Sequence, residues 1–303
     1  MKKVLITGAN GLLGQSLLRE FSQRFTLLAT ARNARLNYPI NNLRCQPLDI
    51  SRWGECRDII DEFKPDVIVN AAAFTNVDAC EAQKEQCWRA NVKGVENLAR
   101  AARKNMALLV HISTDYVFDG QKGPYSETAH PDPLGYYGKT KLASENAVRM
   151  TGIPYAIVRT NVVYGTGVNV KNNFFLWVYQ SLNAGKSINI VTDQYNNPTL
   201  ADDLAMGIRL LIEQSKYGIY NIAGPEYVNR YEFALKIAEV FGFSTAEIHP
   251  ITSDALQQKA PRPMRGGLIV DKAKKELGYS PKSIVNALKF LKIRLEKETP
   301  GTA

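Results

Sequence analysis

The sequence has few of the residues that build metal centres or disulfide frameworks. Its 303 residues include only 4 cysteines and 3 histidines. The cysteines, Cys45, Cys56, Cys80 and Cys87, show no Cys-x-x-Cys spacing, and the histidines fit no metal-binding motif. We therefore expect free, buried thiols and no metal site.

Long apolar runs are also lacking. No run approaches the roughly 20 residues that a membrane span needs. The first run, residues 4–8, is too short for the apolar core of a signal peptide and is typical of a buried strand. Hydrophobic residues make up 45% of the chain and charged residues 22%, which argues against disordered and low-complexity classes. The expectation is a soluble, cytoplasmic protein with no membrane partner.

The charge balance is basic, with a formal net charge of +9. A positive field favours anionic ligands such as nucleotides. The basic residues are scattered apart from residues 272–275 and a C-terminal cluster, and neither group alternates with aromatic residues as a nucleic-acid platform does. We expect no nucleic-acid partner.

Short apolar runs alternate with helical patterns through the first half of the chain. This alternation predicts βαβ units, a parallel sheet and, with right-handed crossovers, a doubly wound Rossmann-type α/β fold. The predicted strands are 3–6, 26–30, 65–70, 107–113 and 155–159, and the predicted helices are 11–21, 53–63, 81–104 and 136–150.

The pattern is less regular after residue 164. Helices are predicted at 172–184, 201–214, 231–241 and 284–298, with a strand at 187–191. We predict a dinucleotide-binding domain at 1–163, completed by roughly 186–214. Residues 164–185 and 215–303 are predicted to form a small substrate-binding cap over the carboxyl edge of the sheet, where ligands of open α/β sheets bind.

A glycine-rich turn directly follows the first predicted strand and opens a helix. Its spacing is Gly-x-x-Gly-x-x-Gly, and glycines in this context let the backbone approach a pyrophosphate at a helix N-terminus. The predicted cofactor-binding residues here are Gly8, Asn10, Gly11, Leu12, Leu13 and Gly14.

Residues after later strands indicate which dinucleotide binds. Arg32 lies at the end of the second strand, where NAD-binding sites place an acid, so it favours NADPH and leaves NADH open. Asp49 and Ile50 are predicted to contact the adenine. The small side chains of Ala71, Ala72 and Ala73 would let the cofactor lie against the backbone.

Tyr137 and Lys141 are spaced i, i+4 and therefore share one face of a predicted helix. We expect the nearby ammonium to lower the pKa of the Tyr137 phenol, which suits proton exchange with a substrate oxygen. A hydroxyl at the end of the preceding strand, Ser113 or Thr114, would orient a carbonyl toward Tyr137.

Taken together, these motifs resemble the extended short-chain dehydrogenases/reductases, and within them the dTDP-4-dehydrorhamnose reductase family. The resemblance covers nearly the whole length. It rests on residues 7–14, 70–73, 77–81, 113–120, 133–142, 158–160, 172–174, 193–199 and 260–263.

The resemblance implies NADPH-dependent reduction of the C4 ketone of a dTDP-4-dehydro-6-deoxy sugar. It implies three catalytic residues: Tyr137 protonates the alkoxide, Thr114 binds the ketone, and Lys141 holds the nicotinamide ribose. The substrate-binding residues that it implies are Thr114, Asp115, Val162, Asn173, Gln194 and Arg262, with Arg262 on the pyrophosphate.

Two departures from the family leave alternatives open. Val162 stands where the family usually has a tryptophan, and residues 125–129 replace the family's aromatic-x-Glu-x-acid motif with Tyr-Ser-Glu-Thr-Ala. The alternatives are another sugar-nucleotide short-chain reductase or epimerase, and a non-catalytic NADP-binding module like the methionine adenosyltransferase β subunit. Tyr116, where dehydratases carry an acid, argues against a dehydratase. A homodimer through helix 81–104 also stays open.

Overall fold

The computed structural model describes residues 1–38, 40, 43–256 and 258–298. The predicted ranges 1–163 and 215–303 also include residues 39, 41–42, 257 and 299–303, which lie outside the described residues. Among the described helices, none is both long and apolar enough to cross a membrane.

Strands and helices alternate along the chain. The strands are β1 Lys3–Thr7, β2 Thr26–Ala31, β3 Cys45–Pro47, β4 Val67–Asn70, β5 Leu108–Thr114, β6 Tyr155–Thr160, β7 Val163–Tyr164, β8 Ile188–Val191, β9 Tyr195–Asn196, β10 Thr199–Leu200, β11 Gly218–Asn221, β12 Val228–Asn229 and β13 Ile248–Ile251. The helices are α1 Leu12–Phe21, α2 Trp53–Phe63, α3 Val77–Ala82, α4 Lys84–Trp88, α5 Gly94–Arg103, α6 Tyr136–Met150, α7 Phe174–Asn183, α8 Ala201–Glu213, α9 Arg230–Phe241, α10 Asp271–Leu277 and α11 Ile284–Glu298.

A parallel seven-stranded sheet organises the described residues, in the order β11-β6-β5-β4-β1-β2-β3. Its inner strands are buried on both faces, which explains why β4 is a continuous apolar run, Val67-Ile68-Val69, and does not alternate. One apolar core lies under α1, α8 and α10, and a second lies under α2 and α5 on the opposite face. The predicted doubly wound Rossmann-type fold is confirmed.

A separate apolar core holds the remaining elements together. It is built mainly from α7, α9 and α11, with short strand pairs β8–β13, β9–β12 and β7–β10 around it. Hydrogen bonds tie this part to the sheet: the Gln15 side chain on α1 donates to Val168 O and accepts from Val168 N. The elements therefore enclose the carboxyl edge of the parallel strands.

Two segments lie elsewhere than the sequence predicted. Gly218–Asn221, predicted within the cap, pairs with β6 and adds an edge strand to the parallel sheet. Ile188–Val191, predicted to complete the dinucleotide-binding domain, pairs instead with Ile248–Ile251. Each segment has only four residues, and so short an apolar run does not reveal its partner.

The predicted helix 81–104 is not continuous. The chain turns at Gln83 between α3 and α4, and residues Arg89–Lys93 form a π-helical turn before α5. Asn76 caps α3, and its side chain accepts from Ala79 N. The π-helical turn places the buried Asn91 against α6, and such turns are common at functional sites.

Candidate active site

The glycine-rich turn lies at the carboxyl end of β1, against the residues that follow β4. Gly8 has a φ of +67°, and a Cβ there would lie 2.8 Å from Ala72 N. A Cβ on Gly14 would collide with Gly8 O. The turn therefore needs these glycines for its own close packing, and it leads directly into the N-terminus of α1 at Leu12. A helix N-terminus at this edge of the sheet fits a dinucleotide pyrophosphate.

Asn10 connects this turn to the loop after β2. Its side-chain nitrogen donates to Arg35 O at 2.9 Å, and its Oδ1 accepts from Asn37 N at 2.8 Å. Arg32 immediately follows β2 and is exposed. The predicted pyrophosphate and 2′-phosphate contacts therefore lie on one continuous surface.

Asp49 and Ile50, predicted to contact the adenine, are engaged with the protein. The Asp49 carboxylate accepts hydrogen bonds from the backbone N–H and the hydroxyl of Ser51. Burial alone would raise the pKa of Asp49, but these bonds and the charges of Arg89 and Arg52 lower it below its ordinary value. The Ile50 side chain packs in the second core, against Gly94, and its carbonyl accepts from Asn97. The Ile50 side chain thus belongs to this core, and the adenine contact of Asp49 and Ile50 stays a prediction.

The residues after β4 bring their backbone against the glycine-rich turn. Ala72 N donates to Thr7 Oγ1 and to Asn70 Oδ1, both at 3.3 Å. A Cβ on Gly8 would lie 2.9 Å from Ala71 O. It is thus the backbone of these residues that lies beside Gly8, and the cofactor contact of Ala71, Ala72 and Ala73 stays a prediction.

The end of β5 separates the two hydroxyls that the sequence left as alternatives. Ser113 Oγ donates to Glu145 Oε1 at 2.6 Å and is buried beneath the site. Thr114 Oγ1 accepts from Tyr116 N at 3.2 Å and donates to Asp115 Oδ1 at 3.3 Å. The Asp115 carboxylate also accepts from Gly267 N and Asn161, and burial raises its pKa. Of the two hydroxyls, Thr114 is thus the one that does not bond to the buried Glu145 carboxylate.

Helix α6 begins where the carboxylate of Glu81 accepts from Tyr136 N at 2.6 Å. Its second residue, Tyr137, meets Tyr116 edge-to-face, with ring centroids 5.8 Å apart. The expected lowering of the Tyr137 pKa is wrong: burial raises it. Desolvation of the phenolate is the main cause, and the neighbouring Cys80 and Tyr116 act in the same direction.

Lys141 is the buried cation of the site. Its Nζ donates to Ile112 O at 2.6 Å and lies 3.3 Å from His111 Nε2. Burial lowers the pKa of Lys141 to about 8, against the opposing charge of Glu145. The ammonium is thus still the main form at neutral pH, but it loses its proton far more readily than a surface lysine.

Asn91 was not predicted to belong to the site. Its side-chain nitrogen donates to Thr140 Oγ1 at 3.1 Å, and its Oδ1 accepts from Phe74 N at 2.8 Å. Two free thiols lie beside it, with Cys80 and Cys87 Sγ atoms 2.8 Å apart. The described cysteines are free, as expected, but Cys45 is only half-buried. Nothing in the sequence pattern alone indicated the π-helical turn that brings Asn91 to α6.

The predicted substrate residues from the cap are spread around this edge. Asn173 caps α7 by accepting from Leu176 N, and its nitrogen donates to Gly165 O. Gln194 donates to Ser253 and Gln258. Val162 is half-buried and has a φ of +40°, a rare conformation for a β-branched residue.

Arg262 is held by an acid from the sheet domain. Its Nη2 donates to Asp78 Oδ2 at 2.7 Å, and Nη1 donates to Ala260 O at 3.3 Å. The ion pair joins the loop before α10 to α3. These hydrogen bonds fix the orientation of the Arg262 guanidinium and occupy some of its N–H donors.

Arg230 is a second cation that the sequence did not single out. Its guanidinium stacks over the Phe174 ring at 5.0 Å, and it interacts electrostatically with Tyr116, Asp115 and Arg262. Burial lowers its pKa, because water that would stabilise the charge is excluded. Two arginines thus act electrostatically on Tyr116, and the folded chain alone reveals this, since residues 230 and 262 are remote in sequence.

Among the described residues, no group of three or more His, Cys, Asp or Glu side chains could hold an ion. Glu127 accepts from Asn221 N at 3.0 Å and so braces β11.

The parallel sheet, with Tyr137 and Lys141 on one helix at its carboxyl edge, has the architecture of the short-chain dehydrogenase/reductase class. The profile of the family described as "RmlD substrate binding domain" matches residues 1–294. The chain therefore belongs to this family.

Individual relatives agree with this assignment. The chain is 34% identical over 308 residues to the dTDP-4-dehydrorhamnose reductase of Aggregatibacter actinomycetemcomitans, covering 98% of this chain and 100% of the relative. It is also 33% identical over 280 residues to methionine adenosyltransferase 2 subunit beta of Xenopus laevis, covering 90% of this chain and 82% of the relative.

A solved structure matches the whole fold. It is the dTDP-4-dehydrorhamnose reductase from Bacillus anthracis str. Ames in complex with NADP, with a TM-score of 0.87 and 29% identity over 97% of this chain and 99% of that one. This protein is thus an oxidoreductase of the sugar-nucleotide reductase family.

Proposed function

We propose that the protein reduces the C4 ketone of a dTDP-4-dehydro-6-deoxy sugar, with NADPH as its preferred cofactor. The observation that carries the proposal is the placement of Thr114, Tyr137 and Lys141 at the same sheet edge as the glycine-rich turn. Membership of the reductase family supports the sugar-nucleotide class of substrate.

The fold offers a fitting place for the dinucleotide. The backbone around Gly8 and Gly14 would bind the pyrophosphate, exposed Arg32 the 2′-phosphate, and Lys141 the nicotinamide ribose. When bound, NADPH supplies a hydride. The related structure with NADP supports this cofactor class.

The raised pKa of Tyr137 suits a proton donor. Because burial keeps the phenol protonated, Tyr137 retains its proton until an alkoxide forms, and an alkoxide is a far stronger base than a phenolate. Thr114 Oγ1 would hold the ketone oxygen beside the phenol. The positive charge of Lys141 would then stabilise the phenolate that remains.

Arg230 and Arg262 would bind the pyrophosphate of the sugar nucleotide. Both act electrostatically on Tyr116, and planar guanidinium groups match phosphate oxygens in pairs. Replacing Arg230 by lysine should raise the KM for the sugar nucleotide about tenfold or more, because the paired donors are lost. The dissociation constant of NADPH should stay unchanged.

A second function is favoured by one feature of the site. Val162 is aliphatic where reductases of the family usually carry tryptophan, and relatives named methionine adenosyltransferase 2 subunit beta match most of the chain. In that case the protein would bind NADP and act as a regulatory module.

The deciding experiment follows NADPH absorbance after addition of dTDP-4-dehydro-L-rhamnose, with NADH in parallel and NADPH binding measured by calorimetry. The proposal predicts oxidation of NADPH that is faster than that of NADH. Binding without oxidation would favour the regulatory module. Oxidation only with another nucleotide-linked keto sugar would retain the reductase and change its substrate.

A further inference from the structure

Buried side chains beneath Lys141 form a continuous hydrogen-bond chain. Thr7, beside the glycine-rich turn, donates to Asn70 Oδ1 at 2.6 Å. The Asn70 nitrogen lies 3.3 Å from His111 Nδ1, and His111 Nε2 lies 2.9 Å from Ser144 Oγ. Ser144 then donates to Lys141 O at 2.7 Å. The chain links the predicted cofactor turn to the predicted catalytic lysine.

One end of this chain fixes the role of His111 Nδ1. The backbone N–H of Ala72 can only donate, and it lies 3.3 Å from Asn70 Oδ1. The Asn70 oxygen must therefore face Ala72 and Thr7, which leaves its NH2 group facing His111. Since an amide NH2 only donates, Nδ1 of His111 is an acceptor without a proton.

The other end gives the same answer independently. The carbonyl of Lys141 can only accept, so Ser144 gives its single hydroxyl proton to it. Ser144 Oγ must then accept from His111, 2.9 Å away, which places the imidazole proton on Nε2. Burial, and secondly the charge of Lys141, hold the pKa of His111 well below its ordinary value, so the ring stays neutral.

The Nε2–H group also lies against the end of the lysine side chain. Lys141 Nζ lies 3.3 Å from His111 Nε2 and donates to Ile112 O at 2.6 Å. Because Nε2 carries a proton, it cannot accept from the ammonium, so this is a packing contact and not a hydrogen bond. The imidazole edge limits the space on one side of Nζ, and Ile112 O accepts from it on another. Through Ser144 the same ring holds the Lys141 backbone, so both ends of this residue depend on His111.

We propose that His111 is a positioning residue for Lys141, fixed as the neutral Nε2–H tautomer by hydrogen bonds from Asn70 and to Ser144. It keeps Nζ at the carbonyl of Ile112, on the face of α6 that also carries Tyr137. The functional consequence rests on the proposed reductase activity, whereas the tautomer does not.

The tautomer is measured directly by nitrogen NMR of protein labelled in its histidine rings. The chain has 3 histidines, and His130 and His249 are exposed, so few signals arise. We expect one ring, lost in His111→Gln, that carries its proton on Nε2 and does not titrate near the ordinary histidine pKa. A proton on Nδ1, or ordinary titration, would overturn the proposal.

Enzyme kinetics test the effect of His111 on Lys141. The ionisable groups that face Lys141 are His111 on β5, Glu145 on α6 and Cys87 on α4. His111→Leu removes the N–H group. It should lower kcat about tenfold or more, shift the basic limb of the kcat–pH profile by about half a unit or more, and weaken NADPH binding about tenfold. His111→Gln restores an N–H group and should recover kcat to within about threefold.

A control separates positioning from general stability. Tyr279→Phe removes another buried hydrogen bond, from the Tyr279 hydroxyl to Ala223 O at 3.1 Å, in the core beneath α8. If His111→Leu behaves like Tyr279→Phe, with a lower Tm but an unchanged kcat and basic limb, His111 is only structural and the proposal is wrong. If His111→Leu does not fold, the kinetics of His111→Gln and the NMR measurement of the tautomer test the proposal instead.

The two proposals fail in distinguishable ways. Absence of turnover by the wild-type protein contradicts the reductase function and leaves the tautomer unaffected. In that case the NADPH dissociation constants decide the positioning role. Equal constants for the wild-type and His111→Leu proteins would overturn it.

Discussion

Arg159 on β6 and Glu145 on α6 form a fully buried, two-point ion pair. Arg159 Nε lies 3.0 Å from Glu145 Oε1, and Nη2 lies 2.7 Å from Oε2. Ser113 adds a third hydrogen bond to the same carboxylate. The pair anchors the helix that carries Tyr137 and Lys141 to the sheet below it.

The Glu145→Ala variant should therefore be strongly destabilised. It leaves the Arg159 guanidinium buried without its counter-charge, which costs about 3–5 kcal/mol of unfolding free energy. Asp58→Ala is the matched control, because Asp58 pairs with Arg57 on the exposed face of α2 and such pairs contribute less than about 1 kcal/mol. Urea denaturation measures both, and equal losses would contradict the structural role of the buried pair.

Val162 allows a test of backbone strain at the predicted sugar position. Its φ of +40° is unfavourable for valine by about 1–3 kcal/mol, and glycine would remove that strain. Val162→Gly should therefore stay within about 1 kcal/mol of the wild-type stability, as the relief offsets the lost packing. Val163→Gly, next in the chain and without a positive φ, should lose about 1–3 kcal/mol. Similar losses for both variants would show that Val162 is not strained.

His111 should make the protein less stable in acid. Burial lowers its folded-state pKa well below 6.5, so the unfolded chain binds a proton below pH 6.5 that the folded chain does not. Stability is then lost as the pH falls below 6.5, by about 1.4 kcal/mol per pH unit for one proton.

The measurement compares unfolding free energies between pH 6.5 and pH 5 for three proteins. His111→Gln should lose this part of the slope, whereas His130→Gln, in which an exposed histidine is replaced, should keep it. An unchanged slope in His111→Gln would mean that His111 is protonated in the folded state.

Arg32 is predicted to select NADPH over NADH. Arg32→Asp replaces the cation with an acid that would repel a 2′-phosphate and accept from a ribose 2′-OH, so the NADPH/NADH affinity ratio should fall about tenfold or more. Arg35→Asp, an exposed change in the same loop, should have a smaller effect. Calorimetric titrations with both cofactors measure the ratios, and an unchanged ratio for Arg32→Asp would reject the assignment.

The sequence was sufficient to predict the fold class and the inner strands of the sheet, whereas β3 and β11 at its two edges were not predicted as sheet strands. Apolar runs such as Val67–Val69 and the turn from Gly8 to Gly14 depend on local chemistry, and helices at residues 53–63 and 136–150 have the predicted bounds. Hydrophobic periodicity and turn residues are local features of the sequence, so a single sequence is enough to recognise them.

Other features required the folded chain. The pKa of Tyr137 is raised by burial, which depends on residues distant in sequence. The mutual electrostatic influence of Arg230 and Arg262 likewise arises only in the folded chain, because α9 and the loop before α10 are separate in sequence. The pairing of β8 with β13 joins segments about 60 residues apart, and no local pattern encodes such a partner.

The central claim is hydride delivery to the sugar C4, and isotope transfer tests it most directly. NADPH dideuterated at the nicotinamide C4 would be mixed with dTDP-4-dehydro-L-rhamnose and the protein, and the product examined by NMR. We predict one deuterium at C4 of the sugar and almost none with Tyr137→Phe, whose NADPH affinity should be nearly that of the wild type. A product without deuterium at C4, or no product from wild-type protein that binds NADPH, would contradict this account.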